Sequence, residues 1–172
     1  MIPRSAAAAL ALTMAACPVL AAAPQPVRPV SISMYAGRWY EIARIAEGKE
    51  RRCAFPTTDF SGRNGGGYTV VQTCHEVSAD GPAHTNNATV SIVPGTGNAK
   101  IKLGFLGGLV HQEFWILDHA ADDNTWALMA TPGGRFLWLI SRQPTLTAQE
   151  HAAAVARITA LGYEATHLKP SR

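Results

Sequence analysis

Residues 37–44 read GRWYEIAR and decide the fold of the chain. The apolar side chains of Tyr40 and Ile42, with the aliphatic stem of Arg44, alternate as they do in a β-strand. Gly37 lacks a Cβ, so the backbone can pass close to another element just before the strand begins. Trp39 needs a large apolar site and a partner for its indole N–H. We therefore predict a strand whose first residues are held beneath another part of the chain, with Trp39 filling the space.

A run of further short strands follows Trp39. Breaks rich in Gly, Pro, Asn and Asp, such as residues 63–67 and 94–98, are typical of turns. Eight strands joined by short turns form a meander, and closure of the meander into a barrel removes exposed sheet edges. The sequence thus predicts an all-β, eight-stranded antiparallel up-and-down β-barrel. The predicted strands are 38–45, 53–62, 67–75, 86–93, 99–105, 112–118, 125–131 and 136–141.

One helix is predicted after the strands. Thr147 and Glu150 have the spacing of a capping box, and Gly162 stands where a helix terminus favours glycine. Between them the helix has an apolar stripe, which would pack on the outside of the barrel. A last short strand, 164–168, is predicted to pair with the barrel wall. The stripe consists of Val155, Ile158 and Leu161.

The strand order predicts which residues meet at each end of the barrel. Consecutive strands of a meander run in opposite directions, so Trp39, Asp118 and Arg142 come to the end where Gly37 lies. An arginine beside a buried indole can stack on the ring and donate to nearby backbone carbonyls. We interpret these residues as a structural floor, in which Asp118 forms a turn, and not as a catalytic group.

The sequence resembles the lipocalin family, and most closely the bacterial lipocalins of the outer membrane. Three motifs in the family's order carry the resemblance: residues 37–44, residues 115–118 with 126–128, and residues 137–142 with Pro144. The resemblance covers about residues 33–163. It implies a calycin barrel, the same floor role for Trp39 and Arg142, transport of a small hydrophobic ligand, and association with the outer membrane.

The other end of the barrel is predicted to be the mouth, formed by loops 45–52, 76–85, 104–110 and 132–135. The loop 104–110 is apolar and rich in glycine, whereas an exposed loop is usually polar. Its large side chains make an apolar rim, or else they fold inward as core or pack against a neighbouring loop. These side chains are Phe105, Leu106, Leu109 and Val110.

An apolar interior is predicted from the fifth strand. Ile101, Leu103 and Phe105 alternate with Lys100 and Lys102, so the apolar set faces inward. The faces of strands 112–118 and 136–141 stay undecided, because both faces are apolar. An eight-stranded barrel with such an interior can hold one small apolar ligand, such as a fatty acid or lysophospholipid.

The polar headgroup of such a ligand is predicted to lie near Arg44, Arg51 and Arg52. Guanidinium groups form charge-assisted hydrogen bonds with carboxylates and phosphates. Glu47 and Glu50 share this loop and could pair with the arginines instead.

The first 23 residues are predicted to be a secretory signal. Arg4 precedes a run of small and apolar residues, and Ala21-Ala22-Ala23 resembles a cleavage site. An alternative is lipid attachment at Cys17, which follows three small or apolar residues. Residues 24–33 then form an extended lead-in and residues 34–172 the barrel domain, in the periplasm or attached to the outer membrane.

A disulfide follows from this export. Without the signal, Cys53 and Cys74 are the two remaining cysteines, and an even count in an exported chain implies a bridge. Both lie near the mouth on adjacent antiparallel strands, almost opposite each other, where Cβ atoms are close enough to bridge.

Other functional classes find little support in the sequence. Without Arg4, 14 basic residues stand against 12 acidic ones, which is no footprint for nucleic acid. The six histidines lack metal-ligand spacing and there is no Gly-x-Ser-x-Gly motif, so we expect no metal, cofactor or catalytic activity. A barrel acting through protein contacts and a lipocalin-fold enzyme remain alternatives. We expect a monomer or weak dimer.

Overall fold

The computed structural model describes residues 22–46, 53–76, 78–122 and 125–171. Nine strands and one α-helix lie in these ranges, together with three short 3-10 turns at Ile32–Tyr35, Leu106–Gly108 and Ala165–His167. The eight predicted barrel strands and the predicted helix are all present. The strands are β1 (Gly37–Ala46), β2 (Ala54–Gly62), β3 (Tyr68–His75), β4 (Ala83–Ile92), β5 (Lys100–Phe105), β6 (Val110–His119), β7 (Trp126–Ala130), β8 (Phe136–Ser141) and β9 (Lys169–Pro170), and the helix is α1 (Ala148–Ala160).

The barrel closes at β1. Strands β2 to β8 pair in sequence order, and β1 pairs with β8 on one side and with β2 on the other. The β1–β2 ladder runs only from Gly37 to Tyr40, after which β2 leaves β1. Beyond this point β9 pairs with Ala43 and Arg44 of β1. The chain end thus covers the part of the β1 edge that β2 leaves unpaired.

The position of this last strand corrects a prediction. The sequence predicted a strand over 164–168, but Ala165–His167 forms a 3-10 turn and the strand lies at Lys169–Pro170. The chain has to return from α1 to the unpaired edge at Ala43 before it can form ladder hydrogen bonds. The 3-10 turn makes this return, so pairing begins later than the local alternation indicated.

The barrel wall separates two apolar clusters. Strands β6 and β8, whose faces the sequence left undecided, contribute to both clusters. Phe114, Ile116 and Ile140 belong to the interior cluster, and Trp138 packs against it. The outward residues of the same strands pack beneath α1, which explains why both faces are apolar. They are Trp115, Leu117, Leu137 and Leu139, and they meet Ala154 and Ile158 of the helix.

Helix α1 begins at the predicted capping box. The Thr147 side chain accepts from the Glu150 N–H, and the Glu150 carboxylate accepts from the Thr147 N–H at 2.8 Å. Gly162 follows the helix with φ +86°, a conformation that glycine adopts without strain. Ile158 of the predicted stripe is fully buried. No helix in the described ranges is long and apolar enough to cross a membrane.

The lead-in before β1 packs along the outer wall of the barrel. The Ala23 N–H donates to the Pro132 carbonyl at 3.0 Å in the β7–β8 loop, at the mouth end. At the other end of the lead-in, the Val30 N–H donates to the carbonyl of Gly97, in the β4–β5 loop, at 2.7 Å. Ala23 and Val30 are both buried. The lead-in therefore runs from the mouth end to the floor end and forms part of the fold.

Candidate functional site

The floor end is closed by Trp39 and Arg142. Trp39 is 0% exposed, and its indole N–H donates to the Met34 carbonyl at 2.9 Å. The Arg142 guanidinium carbon lies 4.0 Å from the centroid of the Trp39 ring. Arg142 also donates to the carbonyls of Ala36, Arg38 and Ser33, at 2.7, 3.0 and 3.0 Å. These bonds hold the 3-10 turn Ile32–Tyr35 across the end of the barrel.

Gly37 and Tyr35 complete this closure. Gly37 has φ +71°, so a side chain there would be strained in the turn between the 3-10 segment and β1. The Tyr35 hydroxyl donates to the Asn98 carbonyl at 2.5 Å. Burial, and to a lesser extent the neighbouring Tyr68, raise the pKa of Tyr35 above its ordinary value, so the hydroxyl keeps its proton. A ligand could not enter the barrel from this end without breaking these contacts.

Asp118 has the predicted position near the end of a strand but not the predicted role. It lies within β6 and forms no turn, and its side chain is almost completely buried. Arg28 of the lead-in donates to it at 2.8 Å, the His119 N–H donates at 2.9 Å, and Arg157 of α1 pairs with it. Asp118 therefore ties the lead-in and the helix to the barrel wall.

The charge of Asp118 is stabilised by these partners. Burial disfavours the carboxylate, but the hydrogen bonds from Arg157, the His119 N–H and Arg28 outweigh it and lower the pKa of Asp118 below its usual value. The sequence did not reveal this cluster, because Arg28 and Arg157 are 90 and 39 residues away. A buried carboxylate needs charged or hydrogen-bonding partners. The position of Asp118 at the end of an apolar strand was therefore the one feature of the sequence that could have indicated this cluster.

The predicted interior residues lie inside the barrel. Ile101 and Leu103 are buried in the interior cluster, and Phe105 is partly buried against it. Leu106, Leu109 and Val110 differ, since they are 75%, 85% and 50% exposed. The loop 104–110 thus divides between an inward Phe105 and an exposed apolar tip.

Side chains occupy most of the described part of the interior around Phe60, Phe114 and Met129. The cavity that these described residues help to line has a volume of about 10 Å³, roughly the space that one water molecule needs. Towards the mouth, Trp138 stacks on Phe136 and meets Phe114, with ring centroids 5.7 Å apart in each pair. The sequence predicted an apolar interior, which the structure has. Room for a whole ligand stays a prediction, because residues 47–52 of a mouth loop lie outside the described residues. The cavity is lined by Thr58, Phe60, Val70, Gln72, Ile101, Leu103, Phe114 and Met129.

Larger cavities lie outside the barrel interior. A groove of about 560 Å³ runs between Ala46, the β7–β8 loop and the segment after α1. Tyr163 lines this groove, its hydroxyl makes no hydrogen bond within the described residues, and burial raises its pKa to about 12. A second groove of about 480 Å³ lies where β2 leaves β1, between Phe55, Glu41 and Ser171.

Arg44 was predicted to meet a ligand headgroup. In the structure it is paired in register with the inward-facing Trp138, so it lies on the interior side of β1. Its Nη1 is 3.1 Å from Oε1 of Glu41, and the Ser171 hydroxyl donates to the same carboxylate. Glu41 was missed, although strand alternation places it on the same face as Trp39. The other predicted headgroup contacts, Arg51 and Arg52, lie outside the described residues, as do Glu47 and Glu50.

Cys53 and Cys74 form the predicted disulfide, with their Cα atoms 5.3 Å apart. The bridge joins the start of β2 to the end of β3 at the mouth. Within the described ranges, no three His, Cys, Asp or Glu side chains are grouped to hold a metal ion.

Comparison of the sequence with known families places residues 30–172 in the lipocalin-like domain family. Among relatives, the outer membrane lipoprotein Blc of Escherichia coli is 27% identical over 178 residues, which cover 95% of this chain and 92% of the relative. The Vibrio cholerae protein of the same name is 28% identical over 126 residues, 72% of each chain.

Solved structures agree on the fold. Insecticyanin from the tobacco hornworm Manduca sexta superposes with a TM-score of 0.65 at 20% identity, over 85% of this chain and 82% of that one. A biogenic amine-binding protein superposes with a TM-score of 0.62 at 12% identity, over 86% and 84%. At these identities the likeness concerns the barrel architecture alone.

Proposed function

The chain belongs to the lipocalin family, and from this membership we propose that it binds one small hydrophobic ligand, a fatty acid or lysophospholipid, inside the barrel. The observation that carries the proposal is the asymmetry of the barrel. Trp39 and Arg142 close one end, and the interior above them is lined by apolar side chains. A ligand would therefore enter from the mouth, with its apolar part inward.

We propose that side chains move on binding, because the cavity among the described interior residues measures only about 10 Å³. Met129 lines this cavity and is unbranched, so it can change rotamer more readily than a β-branched side chain. Phe114 and Trp138 lie nearer the mouth, and rotation of their rings would open a path along the barrel axis. We propose that an acyl chain displaces these side chains as it enters.

Arg44 is the proposed contact for an anionic headgroup. It lies on the interior side of β1 near the mouth and is already paired with Glu41 at 3.1 Å. A ligand carboxylate or phosphate would compete with Glu41 for the guanidinium, whereas the Ser171 hydroxyl could retain Glu41. Arg51 and Arg52 remain proposed contributors from the adjoining loop.

We propose that the protein is exported and held at the outer membrane by a lipid on Cys17. The Escherichia coli and Vibrio cholerae relatives are named outer membrane lipoproteins. Ala23 is buried and its N–H bonds to Pro132, so cleavage after Ala23 would remove a residue that packs on the barrel. Processing before Cys17 keeps this residue, which favours the lipid-attached alternative over cleavage after Ala23.

Titration with a fluorescent fatty acid, followed by displacement with lysophospholipid, tests the binding proposal. We expect a dissociation constant below roughly 10 μM, about −7 kcal/mol. Met129→Trp should fill the cavity and abolish binding, while Lys102→Trp, on the exposed outward face of β5, should leave it unchanged. Binding weaker than this limit, or equal in both variants, would contradict the proposal.

The small volume of the cavity among the described interior residues favours one second candidate, a barrel that acts through protein contacts without a ligand. If the protein acts only through protein contacts, no acyl ligand should bind, even though both variants are correctly folded. The same titration therefore separates the two candidates.

A further inference from the structure

We propose that the mouth end of the barrel docks on a lipid surface through the tip of the β5–β6 hairpin (residues 106–110, the hairpin tip). The proposal goes beyond ligand binding, because the hairpin tip can contact lipid whether or not the barrel holds a ligand. It rests on the exposure of the hairpin tip, on its backbone conformation and on the path of the lead-in.

Exposed apolar side chains are concentrated at the mouth. Leu106, Leu109 and Val110 are 75%, 85% and 50% exposed within five residues, and Phe55 at the start of β2 is 44% exposed. The three residues of the hairpin tip are half of the six most exposed large apolar side chains of the described residues; the other three, Phe55, Val27 and Ile32, lie apart on β2, the lead-in and the 3-10 turn. Clustered exposed apolar groups on the surface of a folded domain mark a contact with a protein or a membrane.

The backbone holds the apolar groups outward. Leu106, Gly107 and Gly108 have φ of +50°, +70° and +95°, three successive left-handed residues. Glycine adopts this conformation freely, but leucine pays for it in strain, and such strain is typical of functional positions. This conformation reverses the direction of the chain after the inward-facing Phe105. As a result, the side chains of Leu106 and Leu109 are exposed to solvent and do not cover the barrel interior.

The path of the lead-in favours a lipid surface over a protein partner. The lead-in reaches the mouth end at Ala23, where its N–H bonds to Pro132. Cys17 precedes Ala22 by five residues, a span of at most about 18 Å in extended chain. A lipid on Cys17, as proposed above, would therefore hold the hairpin tip and the mouth close to the bilayer. This step depends on the proposed attachment, whereas the exposure of the hairpin tip does not.

Docking in this orientation has a consequence for the ligand. The mouth would open onto the acyl region of the bilayer, so a lipid could pass between membrane and barrel without crossing water. Apolar side chains at the boundary of headgroups and acyl chains supply reversible affinity, which an added lipid anchor makes durable.

Vesicle flotation of the exported chain carrying Cys17→Ser tests the docking without any lipid anchor. With vesicles of phosphatidylcholine and phosphatidylglycerol, we expect this protein to float. The further double change Leu106→Ser and Leu109→Ser should weaken partitioning about tenfold or more, because two exposed leucines no longer enter the bilayer. Val27→Ser is the matched control, because Val27 is also 85% exposed but lies away from the mouth, and it should change nothing.

A site-specific label gives the second readout. Because Cys53 and Cys74 form a disulfide, Leu109→Cys or Val27→Cys in the Cys17→Ser background provides a single free thiol for an environment-sensitive fluorophore. Vesicles should shift the emission of the label at position 109 to the blue and leave that at position 27 unchanged. Equal shifts, or no flotation of the Cys17→Ser protein, would overturn the proposal.

The alternative binding partner of the hairpin tip is a second copy of the chain. A dimer in sedimentation velocity that the double leucine change dissociates, together with no flotation, would assign the surface to self-association and overturn the membrane proposal. Neither readout uses a fatty acid, so failure of the ligand titration leaves this test intact.

Discussion

The guanidinium of Arg142 covers the ring of Trp39 at 4.0 Å and donates to three backbone carbonyls in the same region. The contact joins the segment after β8 to the start of β1, about a hundred residues apart in sequence. It closes one end of the barrel with a buried indole, so a ligand would have to enter from the mouth end. The two residues are therefore expected to stabilise the fold as one unit.

Removal of either partner should expose this coupling. Trp39→Ala should cost about 3–5 kcal/mol of unfolding free energy, because it leaves a large cavity. Arg142→Ala should also destabilise the barrel, because three carbonyls lose a charged donor. Urea unfolding of both variants and of the double variant gives the coupling energy, which we expect to exceed about 0.5 kcal/mol.

Arg38→Ala is the matched control, because Arg38 pairs with Asp59 at 2.8 Å on the exposed surface of the same barrel. An exposed pair of this kind should contribute at most about 1 kcal/mol. Losses at Trp39 and Arg142 that simply add would show that the stacking contact makes no energetic contribution.

The Asp118 cluster predicts a loss of stability in acid. Because the folded state lowers the pKa of Asp118, the carboxylate stabilises the fold above its unfolded pKa of about 3.9, and this contribution is lost as pH falls through the folded pKa. Between about pH 6 and about pH 3, the free energy of unfolding measured in urea should therefore fall more for the wild type than for Asp118→Asn. Identical pH profiles for the two proteins would mean that Asp118 has no such role.

The Cys53–Cys74 bridge should stabilise the mouth side of the barrel. By the chain-entropy account, a bridge closing a loop of this size contributes roughly 2–4 kcal/mol. Mass spectrometry with and without reduction should give a difference of two hydrogens, and reduction should lower the unfolding midpoint. Two free thiols in protein exported to an oxidising compartment would contradict the bridge.

Arg44 and Glu41 should act in opposite directions on an anionic ligand. Arg44→Ala should weaken fatty-acid binding severalfold at low salt. Glu41→Gln should strengthen binding, because the ligand then no longer competes with the Glu41 carboxylate for the Arg44 guanidinium. A fatty alcohol of equal chain length should respond to neither change. Arg38→Ala, on the outer surface, serves as the control. Fatty-acid affinity that is indifferent to both changes would place the headgroup elsewhere.

The sequence predicted the barrel because its signals are local. The eight strands, the capping box at Thr147 and the pairing of Cys53 with Cys74 follow from alternation, turn residues and strand parity. The alternating direction of the strands also predicted that Arg142 lies beside Trp39, because a meander determines which strand ends meet. These features depend on neighbouring residues or on simple counting, so one sequence is sufficient to derive them.

The remaining features depend on packing that no local pattern encodes. The buried Asp118 finds partners 90 and 39 residues away, on elements whose approach is set by the whole fold. The volume of the interior cavity depends on the rotamers of its lining side chains, such as Phe114 and Met129, and alternation gives only the direction of these side chains. Likewise, the two apolar faces of β6 and β8 could be assigned only once the position of α1 was known.

Quenching of tryptophan fluorescence by a fatty acid brominated near its carboxyl end, which the proposed contact at Arg44 places beside Trp138, tests ligand binding inside the barrel most directly. Trp138 packs against the interior cluster, whereas Trp115 and Trp126 belong to the cluster beneath α1. We expect saturable quenching in the wild type that is largely lost in Trp138→Phe and retained in Trp115→Phe. Absence of saturable quenching, or quenching that survives Trp138→Phe and disappears in Trp115→Phe, would contradict a ligand within the barrel.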